Sequence, residues 1–564
     1  MSRTRGRKPR PSAGPRDARR ADPPPVTAER GAAPSWPLTR FLPTVLGLAL
    51  VLFGVIDGGA DHPVLLWSVA GAGLALMAWN ALLLSAPRYR NRGLQVTVDV
   101  RKQHYLQACA QLTIFIYWGF HLDFPLVRDH LPHLAVQLAF AYGFDMLLSW
   151  SRRGRYSLGF GPFPVIFSIN LFLWFKPEWF FLQLAMVAVG FAAKELIRWN
   201  RDGRPGHIFN PSSFPLAITS IVLILAGASD LTYGGLIANS QAIPPHMHML
   251  IFLVALPGQI LFGVASMTVS AVVTTYLCGR IYLAVTGSHY FFDCYLPIPV
   301  FLGMHLLFTD PSTSPRTELG RIFFGILYGL STVALYPLLL VAGAPAFYDK
   351  LLQVPLLNLS VRAIDRAAGS RWLAPLAPER LGRSAPPRWR YLAYTALWVA
   401  TFSILSVTGG LGDRHPGQYL PFWIQRCERG DERACAYLAM TEQQLCGGGS
   451  GWACNEAAIL GPRSRWGLEA KMDASRKEAA FRAGCELGFE PACRNGPRVV
   501  HAHPQYERAA PTLADWPLLL RGSRLGAVTD HTPAALYARA CAQGWPDTCD
   551  HHEPAAHGPP PLHP

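Results

Sequence analysis

Twelve apolar segments run between residues 41 and 411, most of them close to the ~20 residues that a helix needs to cross a hydrocarbon core. They fall at 41–56, 64–84, 105–121, 132–150, 160–175, 179–197, 213–228, 247–263, 265–286, 296–308, 319–342 and 390–411. In lipid every backbone N–H and C=O must find its partner within the protein, so such segments fold as packed helices. The expected fold is all-α: a polytopic transmembrane helix bundle of about 11–13 spans, followed by a small disulfide-stapled α/α repeat domain. Composition agrees: half of the 564 residues are apolar and only 15% are charged.

The formal charge of +15 raises the question of nucleic acid. The basic residues, however, lie in a tail and in short loops, and no candidate soluble helix bears a basic stripe with interleaved aromatics. The expected partner is the lipid bilayer, not nucleic acid. Residues 1–36, rich in Arg, Pro, Ala and Gly without an apolar period, read as a disordered, basic cytoplasmic tail, and no cleavable signal precedes the first apolar run.

Loop charge orients the bundle. Arg88, Arg90, Arg92, Arg101 and Lys102 separate the second and third segments. Arg152, Arg153 and Arg155 follow the fourth, and Arg198, Arg201 and Arg204 follow the sixth. The alternate loops 57–63 and 230–246 contain no Lys or Arg, which places the N-terminus in the cytoplasm of a bacterial cell, under the inner membrane. A basic linker with an interfacial helix, 346–389, belongs on the same side and leads to a final span, 390–411. Twelve simple crossings would put that linker outside, so one segment in 247–308 is re-entrant or the total is odd.

Two polar, Pro-containing breaks interrupt the apolar pattern: Gly206–Pro211 and Thr309–Pro315. At membrane depth, irregular backbone persists where protein or a water-filled cavity satisfies it. The pair therefore reads either as a built site or as ordinary interfacial loops. Candidate binding residues are His207, Asn210, Ser212, Thr309, Asp310, Ser312, Thr313 and Arg316. Asn210 offers donor and acceptor, the hydroxyls lie near helix starts where backbone N–H groups favour phosphate, and Arg316 suits a two-point phosphate contact. In the plainer reading Asp310, Ser312 and Thr313 cap the next helix and Arg316 is a loop charge.

The order Ile208-Phe209-Asn210-Pro211, Leu256-Pro257-Gly258, Phe308-Thr309-Asp310-Pro311-Ser312-Thr313-Ser314-Pro315-Arg316-Thr317 and Gly320-Arg321-Ile322-Phe323-Phe324-Gly325 resembles one membrane-protein family. It is the NqrB/RnfD family, which supplies membrane components of the sodium-translocating NADH:quinone reductase and of the Rnf complex. The His-Ile-Phe-Asn-Pro form is most similar to a branch with UnbU-type proteins of enediyne biosynthetic clusters. The resemblance covers roughly residues 40–345 and gives a membrane domain at 37–345. It implies electron transport and FMN attached through phosphate to a threonine in a Ser-Gly-Ala-Thr type motif. That motif is not found: Thr232 and Ala265–Thr268 are poor matches. Covalent attachment is therefore not carried over, which leaves a loosely held FMN or a lost cofactor.

Eight of the eleven cysteines lie beyond residue 426 in four pairs of one spacing: Cys427/Cys435, Cys446/Cys454, Cys485/Cys493 and Cys541/Cys549. Each fits Cys-x-x-Gly-x-x-x-[Ala/Thr]-Cys, with Gly430, Gly449, Gly488 and Gly544 at the position that suits a left-handed residue past a helix end. Disulfides would tie one helix end to the next start; zinc is the alternative, though its ligands usually come as Cys-x2–4-Cys. The stretch Ala479–Gly488 resembles the disulfide-bearing α/α repeats of the Hcp family of cysteine-rich proteins, which implies a repeat domain at 412–550. Disulfides imply an oxidising compartment, so this domain is expected outside the cytoplasm, docking a protein partner. Residues 551–564 form a disordered His/Pro-rich tail. Cys109, Cys278 and Cys294 read as small packing residues.

Asp145, Lys194 and Glu195 fall in or near spans, where ionisable groups are costly, and Asp145 with Lys194 is a candidate pair. His305 is either a relay or cofactor contact, or a buried hydrogen-bonded histidine. His246, His248 and His289 show no bis-His spacing, and no metal is assigned. The leading function is a transmembrane redox component with an extracytoplasmic docking domain. The alternatives are a transporter or enediyne-type export accessory, and a membrane-anchored scaffold; no catalytic residue is assigned.

Overall fold

The computed structural model describes residues 37–57, 62–90, 94–122, 124–201, 203–241, 246–378, 386–411, 415–460, 474–500, 505–520 and 530–551. The N-terminal tail expected over 1–36 and nearly all of the C-terminal tail lie outside these residues.

The bundle is built from α1 (Leu42–Asp57), α2 (Pro63–Ser85), α3 (Lys102–Ile116), α4 (Pro125–Arg153), α5 (Pro162–Asn170), α6 (Phe180–Leu196), α7 (Ser213–Leu225) and α8 (His246–Phe262). It continues with α9 (Ala265–Thr286), α10 (Ile298–Leu306), α11 (Glu318–Val341), α12 (Gln353–Ala368) and α13 (Pro387–Val407). Among the described residues six helices are long and apolar enough to cross a membrane: Leu38–Ile56, Pro63–Ser85, Pro125–Arg153, Pro177–Leu196, Ala265–Thr286 and Glu318–Val341. The chain is a multi-pass membrane protein by that measure. Exposed Leu52, Leu82, Leu225, Val285, Val341 and Val407 place apolar side chains on the outside, where lipid replaces water.

Two segments that read as crossings are shorter. α5 and α10 have nine residues each, so each rises only about 13 Å. Every residue of α10 is buried, and so is every residue of α5 except the half-buried Phe163. The two helices share a start, Pro162-Phe163-Pro164-Val165 and Pro297-Ile298-Pro299-Val300, and they carry a polar side chain at the same offset from it, Asn170 and His305. Proline at the first helical turn fixes the beginning, and the chain leaves each helix as irregular backbone held by surrounding protein.

The two half-helices point in opposite directions. α5 begins at the end of the bundle where Arg153 closes α4 and Arg321 of α11 donates to Gly263 O, 2.8 Å. α10 finishes at that end, with Gln107 Nε2 donating to Leu306 O at 3.1 Å. Oppositely directed broken helices are the arrangement on which many membrane binding sites are built.

Helix contacts rest on small residues. A Cβ on Gly47 would press on Gly73 O across α1 and α2, and one on Gly325 would overlap Met267 O across α9 and α11. Two short sheets stand at the basic end. Gln95–Val98 (β1) pairs in parallel with Arg155–Leu158 (β2), and Arg198–Arg201 (β3) pairs antiparallel with Arg204–His207 (β4).

The C-terminal module contains α14 (Leu420–Glu428), α15 (Glu432–Gly447), α16 (Gly451–Leu460), α17 (Ala474–Glu486), α18 (Glu490–Val500) and α19 (Pro533–Ala542). All four expected disulfides are present: Cys427–Cys435, Cys446–Cys454, Cys485–Cys493 and Cys541–Cys549, with Cα atoms 4.6–4.8 Å apart. These cysteines are therefore bonded to one another, and the zinc alternative falls.

Three of the four second cysteines stand in the first turn of the following helix, as expected. Cys435, Cys454 and Cys493 are each the fourth residue of α15, α16 and α18. Cys549 follows no α-helix start at all: it belongs to the short 3-10 turn Pro546–His551. A helical side chain leans back toward the N-terminus, so a thiol at this position reaches the end of the preceding helix. Cys435 and Cys454 are buried in the module, whereas Cys493 and Cys549 are exposed.

Gly430, Gly449, Gly488 and Gly544 have φ of 88°, 101°, 85° and 94°. Each lets the next N–H return to a carbonyl five residues back, as Asp431 N does to Arg426 O at 3.1 Å.

The module is fastened to the loop 287–297 between α9 and α10. Arg433 donates to the carbonyls of His289 and Tyr290 and lies over the rings of Tyr282, Tyr290 and Phe292. Ser288 Oγ donates to Asp431 at 3.2 Å and Gln418 Nε2 to Asp293 O at 3.2 Å. The module thus caps the C-terminal end of α9, while the α10–α11 break lies at the other end of that 22-residue helix.

Candidate functional site

A cavity of about 370 Å³ opens where the two polar breaks meet. His207, Asn210 and Ser212 line it from one break; Thr309, Asp310 and Ser312 line it from the other. Thr313 is buried behind the second turn, with its hydroxyl 3.4 Å from Asp310. Arg316 is exposed, and its backbone N–H donates to Asp365 at 3.1 Å. Neither of these two lines the cavity.

Asn210 is a clamp. Its Oδ1 accepts from Ser212 N, Ser212 Oγ and Ser213 N at 2.9, 2.7 and 3.1 Å, which caps α7. Its Nδ2 donates across to Leu307 O at 3.0 Å. The amide is spent on joining the breaks and on satisfying backbone that would otherwise be orphaned in lipid.

A second tie runs through side chains. Ser312 Oγ lies 3.0 Å from His207 Nε2 and 2.7 Å from both carboxylate oxygens of Asp310. The hydroxyl has one hydrogen, and Asp310 takes it, so His207 Nε2–H donates to Ser312. In a serine hydrolase the carboxylate sits on the far imidazole nitrogen and the histidine takes the hydroxyl proton. Here the carboxylate shares the near side, so the trio locks the two breaks together and does not activate a nucleophile. Burial works to raise the Asp310 carboxyl, but the hydrogen bonds from His207 and Ser312 outweigh it and hold it below the usual carboxylate range.

The rim belongs to the small sheets and helix ends. Arg101, Arg153, Arg155, Lys194 and Arg198 line it with Asp99, Asp145 and Glu195. Lys194 and Asp145 lie 3.4 Å apart, the pair expected from the sequence, and Arg153 pairs with Glu195.

The inner wall is different. Val165, Val254, Ala255, Gly258, Phe262 and Leu306 surround two polar side chains, Gln259 and His305, which are 2% and 3% exposed. His305 Nδ1 lies 2.6 Å from Phe301 O, an acceptor only, so Nδ1 carries the hydrogen. Gln259 Nε2 donates to Thr268 Oγ1 at 3.1 Å, and that hydroxyl donates to Met304 O at 3.1 Å. His305 Nε2 and Gln259 Oε1 are left buried with no hydrogen-bond partner.

Gln259 and Asn358 escaped the sequence reading, although Gln259 directly follows the quoted Leu256-Pro257-Gly258 and is an amide in an otherwise apolar helix. The repeated Pro-x-Pro-Val start was the signal that marks the half-helices. Of the other histidines, His248 Nε2 lies 3.1 Å from Leu296 O, and the His289 ring is tilted against that of His415 with centroids 4.0 Å apart. No group of three metal-ligating side chains occurs among the described residues. Cys109, expected to pack, is exposed on α3, while Cys278 and Cys294 are half-buried; a small apolar thiol suits a lipid-facing surface as well as a core.

No family model, no curated protein and no solved structure matches this chain, so the reading of the cavity rests on its geometry.

Proposed function

We propose that the bundle holds a phosphate-bearing ring ligand of the FMN type in this cavity and serves as a membrane redox component. The single observation that supports it is the cavity itself, framed by both polar breaks at the meeting of two oppositely directed half-helices. Its volume of about 370 Å³ falls within the range of small-molecule and cofactor sites.

The residues present fit such a ligand held without a covalent bond. The rim arginines, Arg101, Arg153, Arg155 and Arg198, suit a phosphate. The apolar inner wall suits a ring. Covalent attachment has no support: the Thr268 hydroxyl is committed to Met304 O and Thr309 Oγ1 to His305 O, while Thr232 does not line the cavity. FMN, when bound, supplies electron-transfer chemistry; the chain binds it, orients it and shields it from lipid.

The loop charges support a cavity on the cytoplasmic side of a bacterial inner membrane, and the disulfides support a module on the periplasmic side that would dock a protein partner. Electrons would then pass between a cytoplasmic donor and an extracytoplasmic acceptor. Purified full-length protein mixed with FMN tests this: binding with release of all flavin into an acid supernatant is expected. No binding sinks the proposal.

One further observation favours transport as a second reading. Gln107, which lines the cavity, continues into buried Gln111 and Ser168 (2.6 Å apart), and beyond them lies a closed group of Asn170, Gln137, Gln183 and His130. Buried polar side chains in lipid are costly and mark solute or ion routes. Uptake of a polar solute by proteoliposomes, without any flavin in the protein, would select this reading.

A further inference from the structure

The chemistry of the inner wall dictates which end of a ligand enters first, an inference that rests on the cavity being a ligand site. Gln259 Oε1 and His305 Nε2 are both acceptors, both all but inaccessible to solvent, and both without a partner. Their other polar atoms are already committed, Gln259 Nε2 to Thr268 and His305 Nδ1 to Phe301. Neither side chain can turn a donor towards the cavity without breaking one of those bonds. A buried acceptor left unpaired costs about 1–3 kcal/mol, which a ligand recovers only by bringing hydrogen.

An anion cannot do this. A phosphate or carboxylate at the inner wall would face two lone pairs in apolar surroundings, whereas at the rim it meets Arg101, Arg153, Arg155 and Arg198. The pattern is therefore vectorial: uncharged acceptors inside, and at the rim cations that outnumber Asp99, Asp145 and Glu195.

We propose that the cavity takes its ligand head first. A ring edge bearing N–H is received by Gln259 and His305, and a negatively charged tail remains at the arginine rim. The ligand class is a phosphorylated compound whose ring presents a hydrogen-bond donor at the end remote from the phosphate. A ligand that enters tail first, or one with a carbonyl-only head, does not belong to it.

The test compares two matched pairs on the purified full-length protein: FMN with 3-methyl-FMN, and uridine 5′-monophosphate with its 3-methyl derivative. In each pair the methyl group replaces the ring N–H and adds the bulk of one carbon, and Gln259→Leu separates the two effects. Head-first binding predicts that methylation weakens affinity by roughly tenfold or more, the loss of one hydrogen bond to a buried acceptor. Gln259→Leu should weaken the parent compound and shrink the difference within the pair, and a rim change, Arg155→Gln, should weaken both members equally. Equal affinity of parent and methyl compound in every pair that binds would overturn the inference, because the N–H edge would then lie at the mouth. If FMN fails to bind while the uridine pair discriminates, the flavin reading falls and the head-first rule stands. If no compound binds, or if Gln259→Leu leaves both affinities unchanged, the inner wall receives no ligand edge and the inference fails.

Discussion

Asn358 Oδ1 accepts the backbone N–H of Asn210 at 3.1 Å, although 148 positions separate the two residues. Its Nδ2 donates to Thr313 O at 3.1 Å, so one buried amide on α12 bonds the backbone of both polar breaks. The helix that follows α11, beyond the stretch that carries the family resemblance, is thus part of the frame of the cavity. Asp365, two turns on, does the same for Arg316 N and Thr317 N at 3.1 Å.

Replacing Asn358 with leucine keeps the branching at Cγ, adds some volume and removes both bonds. It leaves Asn210 N–H and Thr313 C=O without partners, at a cost of about 2–4 kcal/mol. Thermal unfolding of the detergent-solubilised protein should register a clearly lower midpoint. An unchanged midpoint would mean that α12 is dispensable to the frame.

Gly325 and Gly71 should respond in opposite ways to valine. A Cβ at Gly325 meets Met267 O and Ser270 Oγ on α9, whereas one at Gly71 meets nothing within 4 Å. Gly325→Val should therefore abolish the monodisperse peak in size-exclusion chromatography, and Gly71→Val should leave it in place. Similar profiles for the two variants would refute close packing of α9 on α11.

Thiol counting checks the module directly. Eight of the eleven cysteines are paired, which leaves Cys109, Cys278 and Cys294. Alkylation in denaturant followed by mass spectrometry should modify three cysteines without reductant and eleven with it. Removing one pair, Cys485 and Cys493 to serine, should cost the module about 2–3 kcal/mol for so short a loop.

Glu442 predicts how the module responds to pH. It is buried on α15, with Oε2 unpartnered, and burial first, then the nearby Glu456, pushes its carboxyl well above the ordinary 4.5. The folded state therefore holds a proton that the unfolded chain releases above about pH 4.5. The native state binds more protons than the unfolded one, so stability falls as pH rises from that point until it passes the folded value. Glu442→Gln should flatten this decline and raise the midpoint at neutral pH. A module whose stability rises from pH 5 to 7 because of Glu442 would contradict the assignment.

The sequence by itself determined the material of the protein and its staples. The ~20-residue apolar period marks lipid-spanning helices because a bilayer has a fixed thickness. The cysteine-glycine spacing marked every disulfide because pairing and the left-handed turn are both local, within eight residues. It also brought out Asp145 with Lys194, and six of the eight candidate residues reached the cavity. Only the tertiary structure decided what those residues do. Asn210, Ser212, Asp310 and Ser312 turned out to hold two breaks together, and the unpaired acceptors fell to Gln259 and His305. Whether a polar atom is spent or free depends on partners far along the chain, such as Leu307 for Asn210 and Met304 for Thr268. No local pattern encodes those distances. The half-helices, too, read as crossings from hydropathy alone, because burial on every side by protein demands the same apolar residues as burial by lipid.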